Sequence, residues 1–289
     1  MCLWARPMPF TVAAMSDAAT ASHPLAEAFA SGRPALGAWA GLPTAMSCEI
    51  MSRTGFDYVC IDMQHGFADY SDALPMLAAI DLGTATPVVR VPWNEQGIIG
   101  RVLDAGALGV IIPMVNSREE AEAAVRSCRY APEGARSFGP TRVALRDGPG
   151  YFAGANQAVK CIPMVETVAA LENLDDIVST PGVDAVYVGP ADLSVSLGLP
   201  PGNNDGETSF DDALAAIVAA CQNHGVVPGI PSTPTLTPTR VAQGFRLVTV
   251  TADNAALSAS VTAHRQSVLD ALSGNADAAN PETSNESLY

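Results

Sequence analysis

The chain has 289 residues, of which 48% are hydrophobic and 16% charged, and its formal net charge is −15. The length suits one α/β barrel domain, which takes roughly 250 residues. The acidity argues against a nucleic-acid partner, since a phosphate-binding surface needs clustered Lys and Arg, and no apolar run reaches the ~18 residues of a membrane span.

Both ends of the chain are predicted to lie outside the folded domain, which then spans residues 25–272. Residues 1–24 carry an apolar patch that Pro7 and Pro9 interrupt, so it does not form the core of a secretory signal. We interpret this stretch as a disordered extension, with Met15 as an alternative start. Residues 273–289 are rich in Asn, Ser and acidic residues and predict a disordered tail.

The six cysteines form no C-x-x-C pair, so free thiols in a reducing cytoplasm are expected.

Between these ends, apolar runs typical of strands alternate with helical patterns. The predicted strands are Leu36–Leu42, Phe56–Met63, Thr86–Val91, Leu108–Val115, Val159–Val165, Val183–Val188, Val226–Ile230 and Leu247–Thr251. The predicted helices are one ending near Thr54, then Ser71–Leu82, Glu95–Ala105, Ser117–Tyr130, Ala169–Ser179, Phe210–Asn223, Pro238–Gln243 and Ala255–Leu272. A segment rich in Gly, Pro and Arg, residues 131–156, is long for a connection, which indicates a functional role or contact with a neighbouring chain.

About eight strand–helix cycles predict an α/β fold of the (β/α)₈ TIM barrel type. Continuous runs of Val, Ile and Leu fit parallel strands, which are buried on both faces. The main alternative is an open doubly wound sheet. That fold would need a glycine-rich turn after the first strand, where this chain reads GLPTAMS.

Several predicted strands end in charged or polar side chains. Asp62, Gln64 and His65 follow the second strand, Arg90 the third, Glu166 the fifth and Asp192 the sixth. A charge at the end of a buried strand is costly unless it is paired or bound to a metal. In barrels of this type the catalytic groups lie at the carboxyl ends of the strands.

Each of these residues also has a purely structural interpretation. Asp62 could cap the next turn, His65 could be an ordinary loop histidine, and Arg90 could pair with Glu166. Taken together, they favour a catalytic site. Glu166 and Asp192 suit Mg²⁺ or Mn²⁺, with Co²⁺ as a further option, and these ions leave positions for water and a chelating 2-oxo acid. Arg90 can bind a developing enolate oxygen, and His65 can transfer protons.

The chain resembles the HpcH/HpaI aldolase family over residues 36–272. The segments that carry the resemblance are FDYVCIDMQHG, PVVRVPWNE, VLDAGALGVIIPMVNSREEAEAAV, GARSFGPTR, IPMVETVAALENLDDI and GVDAVYVGPADLSVSLG. The resemblance implies a class II pyruvate aldolase on a (β/α)₈ barrel, which acts through a metal-bound enolate. It also implies homo-oligomers, namely hexamers built from dimers that exchange their last helix.

The family's functional residues fall on particular positions of this chain. The resemblance assigns the metal to Glu166 and Asp192, and the contact with the keto oxygen of pyruvate to Arg90. It makes His65 the catalytic histidine and Asp104 the aspartate that pairs with it.

The resemblance further assigns substrate binding and support around these groups. Backbone amides at Gly189, Ala191 and Asp192 would hold the substrate carboxylate, with Asp62 and Gln64 as supporting residues. Two positions depart from some members of the family, which have Glu in place of Gln64 and Gln in place of Met164. A thioether cannot hydrogen-bond a water as an amide can.

Several functions share these residues. The first is an aldolase that cleaves or forms 4-hydroxy-2-oxo acids from pyruvate and an aldehyde. The second is oxaloacetate decarboxylation, or condensation of the enolate with another acceptor in a citrate-forming or macrophomate-type synthase. The third, an inactive barrel that serves as a binding module, would predict loss of a metal carboxylate, and both are present.

Lys160 is the only lysine of the chain, which bears on the competing imine mechanism. A Schiff-base aldolase needs a lysine amine at the catalytic end of the barrel. Lys160 opens the fifth predicted strand and Glu166 follows its end, so about 20 Å of strand separates them. The sequence therefore predicts that no Schiff base forms.

Overall fold

The computed structural model describes residues 22–273, and residues 1–21 and 274–289, which hold most of the two predicted disordered ends, lie outside the described part. The strands are β1 (Ala35–Ala40), β2 (Tyr58–Asp62), β3 (Thr86–Arg90), β4 (Gly109–Ile112), β5 (Lys160–Val165), β6 (Ala185–Val188), β7 (Val227–Pro231) and β8 (Leu247–Ala252). They pair in parallel and in chain order, and β8 closes onto β1. The predicted (β/α)₈ barrel is confirmed.

Helices cover the outside of this barrel. They are α1 (Pro24–Ser31), α2 (Ala45–Ser52), α3 (Tyr70–Ile80), α4 (Gln96–Asp104), α5 (Arg118–Cys128), α6 (Thr141–Asp147), α7 (Tyr151–Ala158), α8 (Val168–Glu172), α9 (Leu174–Val178), α10 (Pro190–Ser196), α11 (Thr208–His224), α12 (Thr237–Gln243) and α13 (Asp253–Leu272). Within residues 22–273, no helix is both long and apolar enough to cross a membrane. The predicted helix over 169–179 is divided into α8 and α9, and the short α10 was not predicted.

Alternate residues of each strand pack on the two sides of the barrel wall. In β2, Tyr58 and Cys60 belong to the interior cluster, whereas Val59 and Ile61 belong to the cluster beneath the outer helices. Both faces are therefore apolar, which explains the continuous hydrophobic runs in the sequence. The five cysteines within the described residues are free and buried, as predicted.

The amino-terminal boundary of the fold lies earlier than the sequence predicts. His23, assigned to the disordered extension, is buried and caps α1. Its Nε2 lies 3.0 Å from the carbonyl oxygen of Ala158, and its Nδ1 lies 3.2 Å from Oγ1 of Thr86. Burial lowers the pKa of His23. Leu25 and Ala28 then close the amino end of the barrel. An eight-residue helix has little stability of its own, so its sequence signal is weak.

The segment over residues 131–156 contributes two helices, α6 and α7, at the same amino end of the barrel. Arg142 and Arg146 fasten it there, with bonds of 2.6 and 3.0 Å to the carboxylate of Asp81. They also donate to the carbonyl oxygens of Ala105 and Gly106 at 2.7 and 2.8 Å. These contacts give the segment a structural role within its own chain, and its predicted contact with a neighbour stays a prediction.

Replacing Gly37 with alanine should destabilise the barrel. The added Cβ would lie 2.1 Å from Cζ of the fully buried Tyr58, whose hydroxyl is already tied to Oγ1 of Thr249. Overpacking of this kind costs about 3 kcal/mol, measured as a lower urea midpoint. The control is Gly100→Ala in α4, where the new Cβ meets nothing within 4 Å and the better helix former should add up to ~1 kcal/mol. Equal midpoints for the two variants would contradict the described interior.

Candidate active site

A cavity of about 660 Å³ opens at the carboxyl ends of the strands. Its wall includes residues that the sequence singled out together with others that it did not: Trp39, His65, Arg90, Met164, Tyr187, Gly189, Ala191, Asp192, Pro231, Ser232, Thr233 and Thr249. The predicted convergence of strand ends is therefore present for His65, Arg90 and Asp192. Trp39 and Tyr187 are the main additions, and their rings stack with centroids 5.6 Å apart.

Arg90 is held at the cavity wall by Asp62. Its Nε and Nη2 donate to the two carboxylate oxygens of Asp62 at 2.8 and 2.6 Å, and Nη1 has no protein partner within residues 22–273. Burial raises the pKa of Asp62, but the bonds from Arg90 outweigh it and leave that pKa below its ordinary value. Trp39 covers the guanidinium, with 5.0 Å from Cζ to the ring centroid. The alternative pairing of Arg90 with Glu166 is not formed.

Asp62 also fixes the loop that carries His65. Its Oδ1 accepts hydrogen bonds from the backbone amides of Gln64 at 3.1 Å and His65 at 3.2 Å. Asp62 thus caps this turn, as its structural interpretation predicts, and it also pairs with Arg90 at the cavity wall. The His65 ring is exposed at the cavity wall. The Oε1 atom of Gln64 is buried, with no hydrogen-bond partner within the described chain.

Glu166 directly follows β5 and is buried, with 1% of its surface exposed. Its Oε1 accepts a hydrogen bond from the Met114 amide at 2.7 Å. Met114 adopts a left-handed backbone conformation with φ of 56°, which is uncommon for a residue with a side chain and is typical of functional sites. Burial, with a smaller contribution from the negative charge of Asp192, raises the pKa of Glu166 to about 7, although the Met114 hydrogen bond acts in the opposite direction.

Gly189 is required by the same carboxylate. A Cβ on Gly189 would lie 2.1 Å from Oε2 of Glu166. Gly189 precedes α10, whose first turn holds Asp192. Ala191 and Asp192 line the cavity, and the charge of Asp192 is near enough to raise the pKa of Glu166, so the two carboxylates lie at the same end of the barrel.

The carboxylates fit a divalent cation. Within residues 22–273, no group of three or more His, Cys, Asp and Glu side chains could hold a metal, so a metal here would have only two protein carboxylates. Mg²⁺ is commonly bound through one or two carboxylates, with water and substrate completing its shell. A buried carboxyl group whose pKa rises next to a second carboxylate is also a group that a cation would stabilise.

The predicted pairing of Asp104 with His65 is not formed within one chain. Asp104 ends α4, which runs back from the catalytic end, so its carboxylate lies at the amino end of the barrel. There it accepts a hydrogen bond from Nη2 of Arg136 at 2.7 Å. His65 follows β2 at the opposite end. The pairing implied by the resemblance can equally join Asp104 and His65 of two different chains.

Lys160 opens β5 at that same amino end, as the sequence predicts. Its Nζ donates to the carbonyl oxygen of Gln157 at 3.1 Å and lies 3.4 Å from a carboxylate oxygen of Asp184. Because Glu166 follows the other end of this strand, the Lys160 amine is remote from the cavity.

The comparisons with known proteins agree with this architecture. A model of the HpcH/HpaI aldolase/citrate lyase family matches residues 35–259. The chain belongs to this family. Within it, the chain is 42% identical over 241 residues to the hydroxypyruvate/pyruvate aldolase of Rhizorhabdus wittichii, covering 83% of this chain and 95% of the relative.

Two solved structures superpose on most of this chain. A family protein from Burkholderia cenocepacia is 33% identical with a TM-score of 0.75, over 83% of this chain and 95% of its own. Macrophomate synthase is 27% identical with a TM-score of 0.77, over 88% of this chain and 90% of its own. The chain is accordingly a carbon–carbon lyase of the aldolase type.

Glu166→Gln should stabilise this HpcH/HpaI aldolase when no metal is present. The pKa of Glu166 is about 7 in the folded protein, against an ordinary value of 4.5. Ionisation therefore favours the unfolded chain increasingly as pH rises from 4.5 to 7, and stability is lost over that window. At pH 8 the neutral amide avoids a penalty of about 3 kcal/mol.

Urea unfolding in EDTA at pH 8 and pH 4.5 measures this effect. The gain of Glu166→Gln over the wild type should be present at pH 8 and nearly absent at pH 4.5. The exposed Glu172 offers a control, Glu172→Gln, with no comparable change. An equal gain at both pH values would mean that the effect does not come from ionisation of Glu166.

Proposed function

We propose that this protein is a metal-dependent aldolase that cleaves or forms 4-hydroxy-2-oxo acids, with pyruvate as one product and an aldehyde as the other. The observation that carries the proposal is the buried Glu166 carboxyl, which faces Asp192 at the end of the barrel with no cationic partner of its own within the described residues. A relative named for hydroxypyruvate and pyruvate supports a short 2-oxo acid as the donor.

Glu166 and Asp192 would hold the divalent cation, Mg²⁺ or Mn²⁺ with Co²⁺ as a further option. Such an ion, when bound, supplies positive charge that stabilises the oxygen of an enolate. Arg90 donates to the same oxygen from Nη1, because its other two nitrogen atoms are held by Asp62. A planar guanidinium held in this way presents its free N–H in a fixed direction, so a lysine would not replace it.

The substrate carboxylate would lie at the start of α10. The first amides of a helix have no acceptor within the helix, and Ala191 and Asp192 line the cavity at that point. Gly189 keeps the backbone close to Glu166, which brings the amides and the buried carboxylate to one place. The 2-oxo acid would therefore be held at its carboxylate and at its keto oxygen.

His65 would move the protons of the reaction. In the cleavage direction His65 removes the proton of the C4 hydroxyl. The C3–C4 bond then breaks, and the electron pair of this bond forms the enolate as the aldehyde leaves. Return of a proton to C3 then gives pyruvate. Its exposed ring at the cavity wall and its anchored backbone suit this role.

A second candidate shares the enolate and differs in what reacts with it. The resemblance in structure to macrophomate synthase favours oxaloacetate decarboxylation or condensation of the enolate with another acceptor as the alternative. Arg90, His65 and the carboxylates serve both reactions, so the acceptor part of the cavity decides between them.

Pyruvate release from a panel of 4-hydroxy-2-oxo acids and from oxaloacetate tests the proposal. With Mg²⁺ or Mn²⁺ the wild type should release pyruvate from at least one 4-hydroxy-2-oxo acid faster than from oxaloacetate. EDTA and Glu166→Ala should each abolish release, and His65→Ala should slow it by about 10²–10⁴-fold. Activity that survives exhaustive chelation would refute the metal mechanism, and release from oxaloacetate alone would select the decarboxylase.

The last helix supports assembly into a homo-oligomer. None of the 20 residues of α13 is buried, and apolar side chains form a stripe along it: Leu257, Val261, Val268 and Leu272. The start of α13 lines the cavity, but the side chains of the stripe stay exposed within the described residues, and a second copy would cover them. We therefore infer the dimer with exchanged last helices, and the hexamer of three such dimers, that the resemblance implies.

Assembly also offers a place for Asp104. Exposed apolar side chains mark both ends of the barrel: Phe67 and Trp93 near His65 at the catalytic end, and Phe138 and Phe152 near Arg136 at the amino end. If the amino end of one copy contacts the catalytic end of another, Asp104 of the second copy can pair with His65 of the first. The pair would then form between chains.

Mixed oligomers test this pairing between chains. His65→Ala and Asp104→Ala proteins should each have low activity, and unfolding and refolding them together should restore part of it. In an equal random mixture about a quarter of sites combine an intact His65 with an intact Asp104 from a neighbour. A mixture no more active than its components would contradict the pairing. The control is a mixture of the His65→Ala and Glu166→Ala proteins. It should stay inactive, because each site takes both His65 and Glu166 from the same chain.

A further inference from the structure

Arg240 of α12 is the largest of the fully buried side chains in the described part of the chain, with 0% of its surface exposed. Its guanidinium donates to Oδ1 of Asn203 at 2.5 Å, to Oδ1 of Asp205 at 2.7 Å and to Oε1 of Gln243 at 2.8 Å. A buried cation is tolerated only with such partners, and removal of one leaves an uncompensated charge. The contacts of Arg240 therefore hold the segment of chain that contains Asn203 and Asp205.

Those two residues belong to loop 197–207, which joins α10 to α11. The same loop is bonded back onto α10 through Ser194, whose side chain is fully buried. The Ser194 hydroxyl donates to the carbonyl oxygen of Gly202 at 2.9 Å and accepts from Nδ2 of Asn204 at 2.8 Å. Arg240 and Ser194 thus hold neighbouring residues of the same loop, and the backbone over residues 202–205 connects their two sets of hydrogen bonds.

The two helices that this connection joins each follow a segment of the cavity wall. Ser194 lies two residues after Asp192 on α10, and α12 follows the cavity wall formed by residues 231–234. We propose that Arg240 is a positioning residue that sets the location of Asp192 by clamping loop 197–207 onto α10. This inference rests on the proposed function, in which Asp192 helps to hold the cation.

The length of α10 makes it dependent on this clamp. A seven-residue helix has few internal hydrogen bonds, so contacts with the rest of the protein decide its position. Glu166, in contrast, directly follows a strand of the closed barrel. Loosening the clamp would move one carboxylate relative to the other, and loss of such outer contacts weakens metal binding by about 10–100-fold.

Isothermal titration calorimetry of the purified, full-length protein with Mn²⁺ tests the clamp. Arg240→Met removes the cation and roughly keeps its volume, and its main partner Asp205 is already one-third exposed. We expect the Kd for Mn²⁺ to rise at least about tenfold. Ser194→Ala should raise it in the same direction, and the double variant should be less than additive, because both changes break one connection.

The matched control is Arg129→Met. Arg129 is also an almost fully buried arginine bonded to one aspartate, Asp184, at 2.8 Å, but it lies at the amino end of the barrel. Both arginine variants should lower Tm, and Arg129→Met should leave the Kd for Mn²⁺ unchanged. A Tm loss without a change in Kd for Arg240→Met would assign Arg240 a structural role only and overturn the inference. If Arg240→Met does not fold, Ser194→Ala decides by the same criterion.

Glu166→Gln separates failure of this inference from failure of the proposed function. If the wild type binds no Mn²⁺, or binds it equally well after Glu166→Gln, the metal site itself is wrong and the clamp has nothing to position. If Glu166→Gln abolishes binding while Arg240→Met and Ser194→Ala both bind as the wild type does, only the clamp is refuted.

Discussion

Glu166 holds a carboxyl group at the end of a barrel strand, where almost no water reaches it and where Asp192 adds a second negative charge. Much of the surrounding structure follows from that burial. Position 189 must be glycine because a Cβ would meet the carboxylate, and Met114 adopts a left-handed conformation while its amide donates to it. Arg90 does not neutralise Glu166, because Asp62 already occupies two of its nitrogen atoms. Within the described residues the Glu166 carboxylate is thereby left without a cationic partner, as the proposed cation site requires.

The two ends of the barrel have different tasks. At the carboxyl ends of the strands the loops are short and hold the cavity, whereas at the amino end α1 covers the interior and α6 and α7 form a separate small cluster. The arginines at the amino end are paired with carboxylates, as Arg146 is with Asp81 and Arg136 with Asp104. This division is the usual one for (β/α)₈ enzymes, in which one face carries the chemistry and the other the stability. Asp104 would join both tasks if a second copy brings it to His65.

The barrel and most of the candidate site could be predicted from the sequence because the apolar runs that mark the strands end in the charged residues that mark the candidate site. A charged residue after a buried apolar run is costly wherever the chain folds, so Glu166 and Asp192 could be located without a structure. What Arg90 binds could not be predicted, because several strand ends converge and the sequence does not rank their distances. His23 and α1 escaped prediction for a different reason, since that helix gains its stability from packing against the finished barrel.

Residues that act through the fold were the hardest to foresee. Arg240 and Ser194 are far apart in the chain and have no motif of their own, and only the hydrogen bonds through loop 197–207 link them. Trp39 is the second-last residue of an ordinary strand sequence, and its contact with Arg90 arises from the pairing of β1 with β2 and of β2 with β3. The departure at Met164 was visible in the sequence, and the structure places that side chain in the cavity wall.

Formation of the pyruvate enolate at this site can be measured without any aldehyde, through exchange of the pyruvate methyl protons with D₂O. We expect the wild type with Mg²⁺ or Mn²⁺ to replace these protons with deuterium, which proton NMR detects as loss of the methyl signal. Exchange should cease in EDTA or in Glu166→Gln and slow strongly in His65→Ala. Absence of exchange in the metal-loaded wild type, or exchange that persists in Glu166→Gln, would contradict it.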